Sequence, residues 1–275
     1  TGTQIIEGVT NPYGLTGLTP NTSYTFYVKT VCGVDDEGAW SAGANFQTLC
    51  STFDLPLTQN FDTTPTGTTT NPSTPDCWTF IDTGAGYGYT YAFGNQFSEP
   101  NHFYMYNAGD VTGDYMLVSP PTNGLSGALV EFYAYGTNAT NVLEVGTLAD
   151  PTDPSTFTLV QSFTLSGSTT LHQLYSVNLP EGNDQFLAFR HGLVATFRTI
   201  YIDDILVQVP PTCPRPLDVI ASSSSSTTAD VSWTNGGTEA SWNIQYGAPG
   251  FELGTGTVVA AATNPFTLTD LTANT

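Results

Sequence analysis

The chain has 275 residues, of which 24 are Asp or Glu and four are Lys or Arg, so its formal charge is −20. This balance excludes binding to nucleic acid or to an anionic membrane surface, because both need clustered Lys and Arg. With 46 Thr and only 10% charged residues, the composition also excludes a helical bundle and favours strands and turns. No stretch is long and apolar enough to insert into a membrane.

The chain begins without Met or a signal peptide, which indicates a segment of a longer or already processed protein. Its first predicted strand lies within residues 18–28, LTPNTSYTFYV, where Tyr24, Phe26 and Val28 alternate with other residues as on a half-buried strand. A composition with few Lys, many Thr and four Cys fits an extracellular setting better than the cytosol.

Nine strand-like runs with turn signals between them follow in the central part of the chain, without a convincing helix. They lie at 77–81, 102–106, 115–119, 128–135, 141–148, 157–165, 171–179, 185–191 and 199–209. This number of strands in one domain predicts an all-β sandwich of the jelly-roll type. The pair Pro210–Pro211 then marks a domain boundary.

The end of the chain repeats its beginning. Residues 10–22, TNPYGLTGLTPNT, match residues 263–275, TNPFTLTDLTANT, at nine of thirteen positions, and Thr1–Thr3 match Thr255–Thr257 after one gap. Two further strands are predicted at 213–234, with Trp233 as a core residue, and another at 241–246. The chain therefore covers slightly more than one period of a tandem array, cut inside the same kind of domain at both ends.

These motifs together resemble the repeats of secreted surface adhesins of the Bacteroidetes, in which fibronectin type III domains alternate with jelly-roll domains of the cleaved-adhesin or MAM-like kind. The entry to the first strand resembles a tyrosine corner, in which the Tyr hydroxyl bonds to backbone upstream. The other motifs that carry the resemblance are NFD at 60–62, PDCWTFID at 75–82, GDYMLVSPP at 113–121, YIDDILV at 201–207 and CPRP at 213–216.

The resemblance implies three regions: the C-terminal part of a fibronectin type III-like domain at 1–49, a jelly roll at 50–211, and the N-terminal part of the next fibronectin type III-like domain at 212–275. It implies a repeat unit of a long adhesin at the cell surface, exported by type IX secretion and acting as a stalk and binding surface in adhesion or gliding. Its partners would be neighbouring repeats of the same chain and surface glycans or substratum. The alternatives are a carbohydrate-binding accessory region of a secreted hydrolase or protease, and a structural filament subunit.

The resemblance also implies how the four cysteines pair. In a fibronectin type III domain, strand F ends at the pole where strand A begins, so Cys32 and Cys213 should each bond to the neighbouring repeat. Cys50 and Cys77 are then left to form a disulfide within this chain.

Calcium is the cofactor that the resemblance implies, with Asp62, Asp203 and Asp204 at calcium-binding positions and Asp82 as a further candidate. Carboxylate oxygens suit this ion. Asp203 and Asp204 interrupt an apolar strand, so one of them is expected to point inward and to need a partner, either an ion or one of Arg190 and Arg198. The acidic loop that follows the Cys-Trp strand in many relatives is reduced here to Asp82.

Alternating tyrosines lie near Asn101 and His102, at positions 87, 89, 91, 104 and 106. They suggest either a sugar-binding surface or ordinary core and edge aromatics of the sandwich, and we favour the second interpretation. The three histidines stand singly, and the chain contains neither a GxSxG nor an HExxH motif. We therefore predict no enzyme activity.

Overall fold

Strands connected by turns build the protein, as seen in a computed structural model that describes residues 4–94, 96–167 and 172–273. The chain divides into two units, Thr1–Val209 and Pro210–Thr275. The predicted domain boundaries at 49/50 and 211/212 stay predictions. In the repeated segments, Thr1–Thr3 and residues 274–275 lie outside the described residues.

The N-terminal 49 residues form two small antiparallel pairs. Strand β1 (Ser23–Phe26) pairs with β4 (Ala44–Gln47), and β2 (Val31–Gly33) pairs with β3 (Asp36–Glu37). The Tyr24 hydroxyl accepts a hydrogen bond of 2.9 Å from the Thr19 N–H, as a tyrosine corner requires.

Eleven strands follow and form the sandwich. They are β5 (Leu57–Gln59), β6 (Thr79–Asp82), β7 (Tyr87–Tyr91), β8 (His102–Tyr106), β9 (Tyr115–Val118), β10 (Leu129–Gly136), β11 (Val142–Leu148), β12 (Phe157–Thr164), β13 (Gln173–Asn178), β14 (Phe186–His191) and β15 (Thr199–Gln208). A 3-10 turn at Pro154–Thr156 precedes β12, and the Asp153 side chain caps it. No helix of the described chain has the length and apolar character needed to cross a membrane.

Two antiparallel sheets face each other in this sandwich. The six-stranded sheet has the order β13-β10-β15-β8-β7, with β5 added to β15, and the five-stranded sheet has the order β12-β11-β14-β9-β6. The protein is thus all-β with a jelly-roll β-sandwich, as the sequence predicts. Alternate residues of each strand fill the space between the sheets, among them Phe103, Phe132 and Phe189, which are fully buried. Burial of each such ring contributes roughly 1.5–3 kcal/mol to folding.

All nine predicted runs contain a strand, while β5 and β7 are additional. Leu171, at the start of one predicted run, lies outside the described residues. The glycine in β7, Gly88, hides its strand character, since glycine usually weakens strands. Gly88 is needed where it is, because a Cβ there would lie 2.6 Å from the Phe80 ring.

The unit Pro210–Thr275 contains five strands: β16 (Leu217–Ser223), β17 (Ala229–Thr234), β18 (Trp242–Tyr246), β19 (Thr257–Ala262) and β20 (Phe266–Leu268). They form a three-stranded sheet in the order β16-β17-β20 and a pair β18-β19. Trp233 packs edge-to-face on Trp242, with ring centroids 5.3 Å apart. Strands are thus present where the sequence predicts them.

Candidate functional site

The most distinctive surface of the sandwich is the outer face of the six-stranded sheet. Phe103, Met105, Ile200 and Ile202 point into the core, so the residues that alternate with them point outward. The outward residues are aromatic on neighbouring strands: Tyr87, Tyr89 and Tyr91 of β7, His102, Tyr104 and Tyr106 of β8, and Tyr201 of β15. We call these seven residues the tyrosine face.

Strand register brings the rings of the tyrosine face together. Tyr89 lies opposite Tyr104, which in turn lies opposite Tyr201. The ring centroids are 5.3 Å apart in the first pair and 5.5 Å apart in the second. Tyr87 and Tyr89 are 6.0 Å apart, and their planes lie within 9° of parallel. All six tyrosines of the face are half-buried, which leaves part of each ring open to solvent.

This placement corrects the core part of the interpretation that we favour from the sequence, whereas β7 is indeed an edge strand. Tyr87, Tyr89, Tyr91, Tyr104 and Tyr106 do not belong to the core between the sheets, because they lie on the opposite side of their strands. Alternation alone could not show this, since aromatic residues are common on both faces of a sheet. The burial of Phe103 and Met105 in the core shows that the tyrosines of β8 point outward, and the pairing of β7 with β8 places the tyrosines of β7 on the same face.

The described residues of the loop between β7 and β8, 92–94 and 96–101, fold over one end of the tyrosine face. Within it, the Phe97 ring stacks on Tyr133 of β10, with centroids 3.4 Å apart and planes within 10°. Gly94 lies against His102, and Phe93 at the rim is 72% exposed. The loop therefore covers the end of the face near His102 and leaves the Tyr87 and Tyr106 end open.

The side chain of Asp203 holds this loop in place through hydrogen bonds. Its side chain is fully buried. One carboxylate oxygen accepts hydrogen bonds from the N–H groups of Phe97 (2.9 Å) and Ser98 (3.1 Å), and the other accepts one from the Asp204 N–H. Asp204 accepts a bond from the Ser98 hydroxyl at 2.8 Å. The prediction that one of the two carboxylates points into the core is therefore wrong, because Asp203 is buried under a loop on the outer face.

The charge of Asp203 is costly in this environment. Burial raises the pKa of Asp203 to about 7, although the three N–H bonds act in the opposite direction. Of the two arginines suggested as partners, Arg190 instead pairs with Glu144 at 2.6 Å. Backbone N–H groups are therefore the polar partners that hold this carboxylate.

Asp62 contacts the same loop at its other end. Its carboxylate accepts a hydrogen bond from the Asn101 N–H at 3.2 Å. The Asn101 amide nitrogen donates to three carbonyl oxygens, those of Phe61, Asp62 and Thr64, at 3.1–3.3 Å. The structure therefore brings three of the predicted residues, Asp62, Asp203 and Asp204, to the single segment 97–101.

Asp82 lies elsewhere, at the end of β6 in the five-stranded sheet, where it accepts a hydrogen bond from the Gly84 N–H. Among the described residues, no three His, Cys, Asp or Glu side chains are arranged to hold a metal ion. A calcium ion at the loop would therefore need backbone carbonyl oxygens or water besides the carboxylates.

The two histidines near the face, His102 (buried) and His172 (half-buried), are neutral at pH 7. Burial lowers the pKa of His102 and of His172 to about 4 in each case. Burial also raises the pKa of Tyr89, Tyr104 and Tyr201, with neighbouring tyrosines adding to the effect. The tyrosine face is thus an uncharged surface of rings and hydroxyl groups.

One predicted disulfide lies within this chain, and the predicted bonds of Cys32 and Cys213 to neighbouring repeats stay predictions. Cys50 and Cys77 form a disulfide, whereas Cys32 and Cys213 are free and exposed. A disulfide is typical of proteins from oxidising compartments.

No protein-family model and no curated protein matches the chain. Among solved structures, the K2 cleaved adhesin domain of Lys-gingipain is similar over 56% of this chain and 98% of its own, with 19% identity and a TM-score of 0.46. The K1 cleaved adhesin domain of Lys-gingipain from Porphyromonas gingivalis W83 covers the same shares with 20% identity and a TM-score of 0.46. The family 29 carbohydrate-binding module CBM29_1 from Piromyces equi covers 56% of this chain and 91% of its own, with 12% identity and a TM-score of 0.37. Likeness at this level does not establish a common function.

Proposed function

We propose that this chain is a repeat unit of a long, secreted, non-catalytic adhesin, in which a jelly-roll domain alternates with fibronectin type III-like domains. The unit serves as a stalk segment and carries a binding surface on its sandwich. Type IX secretion and a role in adhesion or gliding belong to the same proposal. The observation that carries it is the match between residues 10–22 and residues 263–275, from which we infer that the two ends of the chain belong to complementary parts of one kind of domain.

The strands support this complementarity. In the order of a fibronectin type III domain, β16, β17 and β20 correspond to strands A, B and E, and β18 to strand C. Strands F and G correspond to β1 and β4, which pair in the N-terminal 49 residues. The repeated segments 10–22 and 263–275 are the places where the two parts overlap.

Exposed apolar side chains in both parts of the domain also support the proposal. Val28 and Val31 are 54% and 67% exposed in the N-terminal part, and Val219 and Ile220 are 69% and 65% exposed in the C-terminal part. Apolar strand residues of this kind are normally covered by a second sheet. A neighbouring repeat is the partner that would cover them.

The Cys50–Cys77 disulfide and the charge of −20 support an extracellular location. Strong negative charge also keeps a long fibre from collapsing on itself.

The proposal is tested by a chain of two copies in which residue 262 of the first copy is followed by residue 10 of the second. We expect a disulfide between Cys213 of the first copy and Cys32 of the second, seen by mass spectrometry of non-reduced peptides. The matched control carries Cys32→Ser in the second copy and should leave Cys213 as a thiol. Two free thiols at these positions, or a Cys32–Cys213 bond within one copy, would contradict the proposal.

Calcium is a further part of the proposal, placed at the segment 97–101 with Asp62, Asp203 and Asp204. A cation there would offset the cost of burying the Asp203 carboxylate. We expect calcium to raise the melting temperature of the wild-type chain and of an Asp82→Asn control, and to have no effect on an Asp203→Asn variant. Equal melting temperatures of the wild-type chain in calcium and in excess chelator would contradict the proposed calcium site.

The alternative function is that of a carbohydrate-binding accessory region of a secreted hydrolase or protease, and the tyrosine face favours it. A catalytic domain in the parent protein would support this alternative, whereas many tandem copies without one would support the stalk.

A further inference from the structure

We infer that the tyrosine face is a binding site for a neutral glycan chain. This inference rests on the proposed function only in placing the site on a secreted adhesin. Its test is separate from the test of the repeat unit.

The arrangement of the rings is the first argument. Sugar rings present apolar C–H faces that pack on aromatic rings. Two neighbouring strands supply such rings side by side: the centroids of Tyr87 and Tyr104 are 6.0 Å apart, and those of Tyr104 and Tyr106 are 6.3 Å apart. Several rings in one layer can contact successive sugars of a chain, while single exposed aromatics cannot.

Rigidity is the second argument. The tyrosines pack on one another across paired strands, so their rotamers are restricted before any ligand arrives. A ligand then loses less affinity to the ordering of side chains. Tyrosine combines this rigid ring with a hydroxyl group that can donate and accept hydrogen bonds. Tyrosine hydroxyls keep their protons at neutral pH, and burial raises the pKa of Tyr104 and of Tyr89 further.

Charge decides the class of glycan. The outward residues of β7 and β8 are tyrosines and one neutral histidine, so they offer an acidic sugar no cation. The chain as a whole carries −20 and repels polyanions. The nearby Asp203 carboxylate is fully buried and engaged with the N–H groups of Phe97 and Ser98, so it presents no charge on the open part of the tyrosine face. A neutral polysaccharide therefore fits this surface.

The described residues of the loop between β7 and β8, 92–94 and 96–101, set one limit of the site. Phe97 stacks on Tyr133 and closes the end of the face near His102, while Phe93 stands at the rim. The bound chain would lie over the open rings of β7 and β8 and end at this loop.

The test is affinity electrophoresis of the full chain in gels containing one soluble polysaccharide each: neutral β-glucan, mannan, xylan or galactan, or anionic alginate or polygalacturonate. We expect at least one neutral gel, and no anionic gel, to retard the protein. The variant Tyr87→Ala with Tyr89→Ala should weaken that binding about tenfold or more, because two stacking rings are lost. The matched controls Tyr13→Ala and Tyr27→Ala remove tyrosines that are 51% and 56% exposed outside the face, and they should bind like wild type.

A second measurement needs no variant and therefore does not depend on folding of the alanine mutants. Tyrosine nitration followed by mass spectrometry should show that the retarding polysaccharide protects Tyr87, Tyr89 and Tyr106 but leaves Tyr13 and Tyr27 reactive. The inference is overturned if no neutral polysaccharide retards the protein, if an anionic one binds instead, or if protection falls outside the face. Capture of a protein partner by this face, with the same loss on Tyr87→Ala and Tyr89→Ala but no glycan binding, would overturn it as well.

Discussion

Removal of the Cys50–Cys77 disulfide gives the most quantitative prediction for the sandwich. The bond closes a segment with a sequence separation of 27 residues. The double variant Cys50→Ser with Cys77→Ser frees this segment in the unfolded chain, and the chain-entropy relation gives a loss of about 3.5 kcal/mol at 25 °C for a loop of this length. For a unit of this size the loss corresponds to a fall in melting temperature of roughly 7–14 °C.

The native fold should survive the change. Strand β5 pairs with β15, and Phe61 is fully buried in the core, so the segment between the two cysteines has its own contacts with the sandwich. The destabilisation thus comes mainly from greater freedom of the unfolded chain.

Urea unfolding followed by tryptophan fluorescence measures the effect, because Trp78 is 4% exposed and lies next to the bond. The matched control is Cys32→Ser with Cys213→Ser, which removes two exposed free thiols and should leave the free energy of unfolding unchanged. A loss below about 1 kcal/mol in the disulfide variant, or an equal loss in the control, would refute this reasoning.

Three further predictions concern pH and packing. Burial lowers the pKa of His191 from 6.5 to about 4, as it does for His102 and His172, so the unfolded chain takes up these protons first. The free energy of unfolding should therefore fall as pH drops from about 6.5 to 4, and it should fall less steeply in His191→Gln. Asp203, with its raised pKa, acts in the opposite direction. Urea titrations at several pH values measure this dependence, and equal slopes for wild type and His191→Gln would contradict the role of His191. Asn101→Ala leaves three carbonyl oxygens without their donor and should cost roughly 2–3 kcal/mol in the same assay, whereas an unchanged midpoint would show that water replaces the amide. Gly88→Ala places a Cβ against the Phe80 ring and should cost roughly 1–3 kcal/mol, and a neutral effect in thermal melts would mean that the ring moves away freely.

The sequence predicts the strands of the sandwich well where apolar residues alternate over five or more positions, as in β10 and β15. It does not predict β7, because Gly88 looks like a strand breaker. Glycine is needed at this position because an aromatic ring of the other sheet lies against it. A contact between side chains of two facing sheets is not visible in the residue pattern of either strand alone.

The candidate site, like the fold, is predicted by the sequence only in part. Two adjacent carboxylates in an apolar strand predict a buried acid, and Asp203 is buried. That its partners are the N–H groups of Phe97 and Ser98 depends on the path of a loop more than 100 residues away in sequence. Likewise, the tyrosine pattern is visible in the sequence, but the side of the sheet on which it lies is set by the pairing of β7 with β8.

Electron microscopy of the intact parent protein, released from the surface of its cells, tests the central claim most directly. The account predicts a long fibre of alternating larger and smaller beads, formed by the sandwich domains and the domains between them. A short compact particle would contradict the repeat-unit proposal.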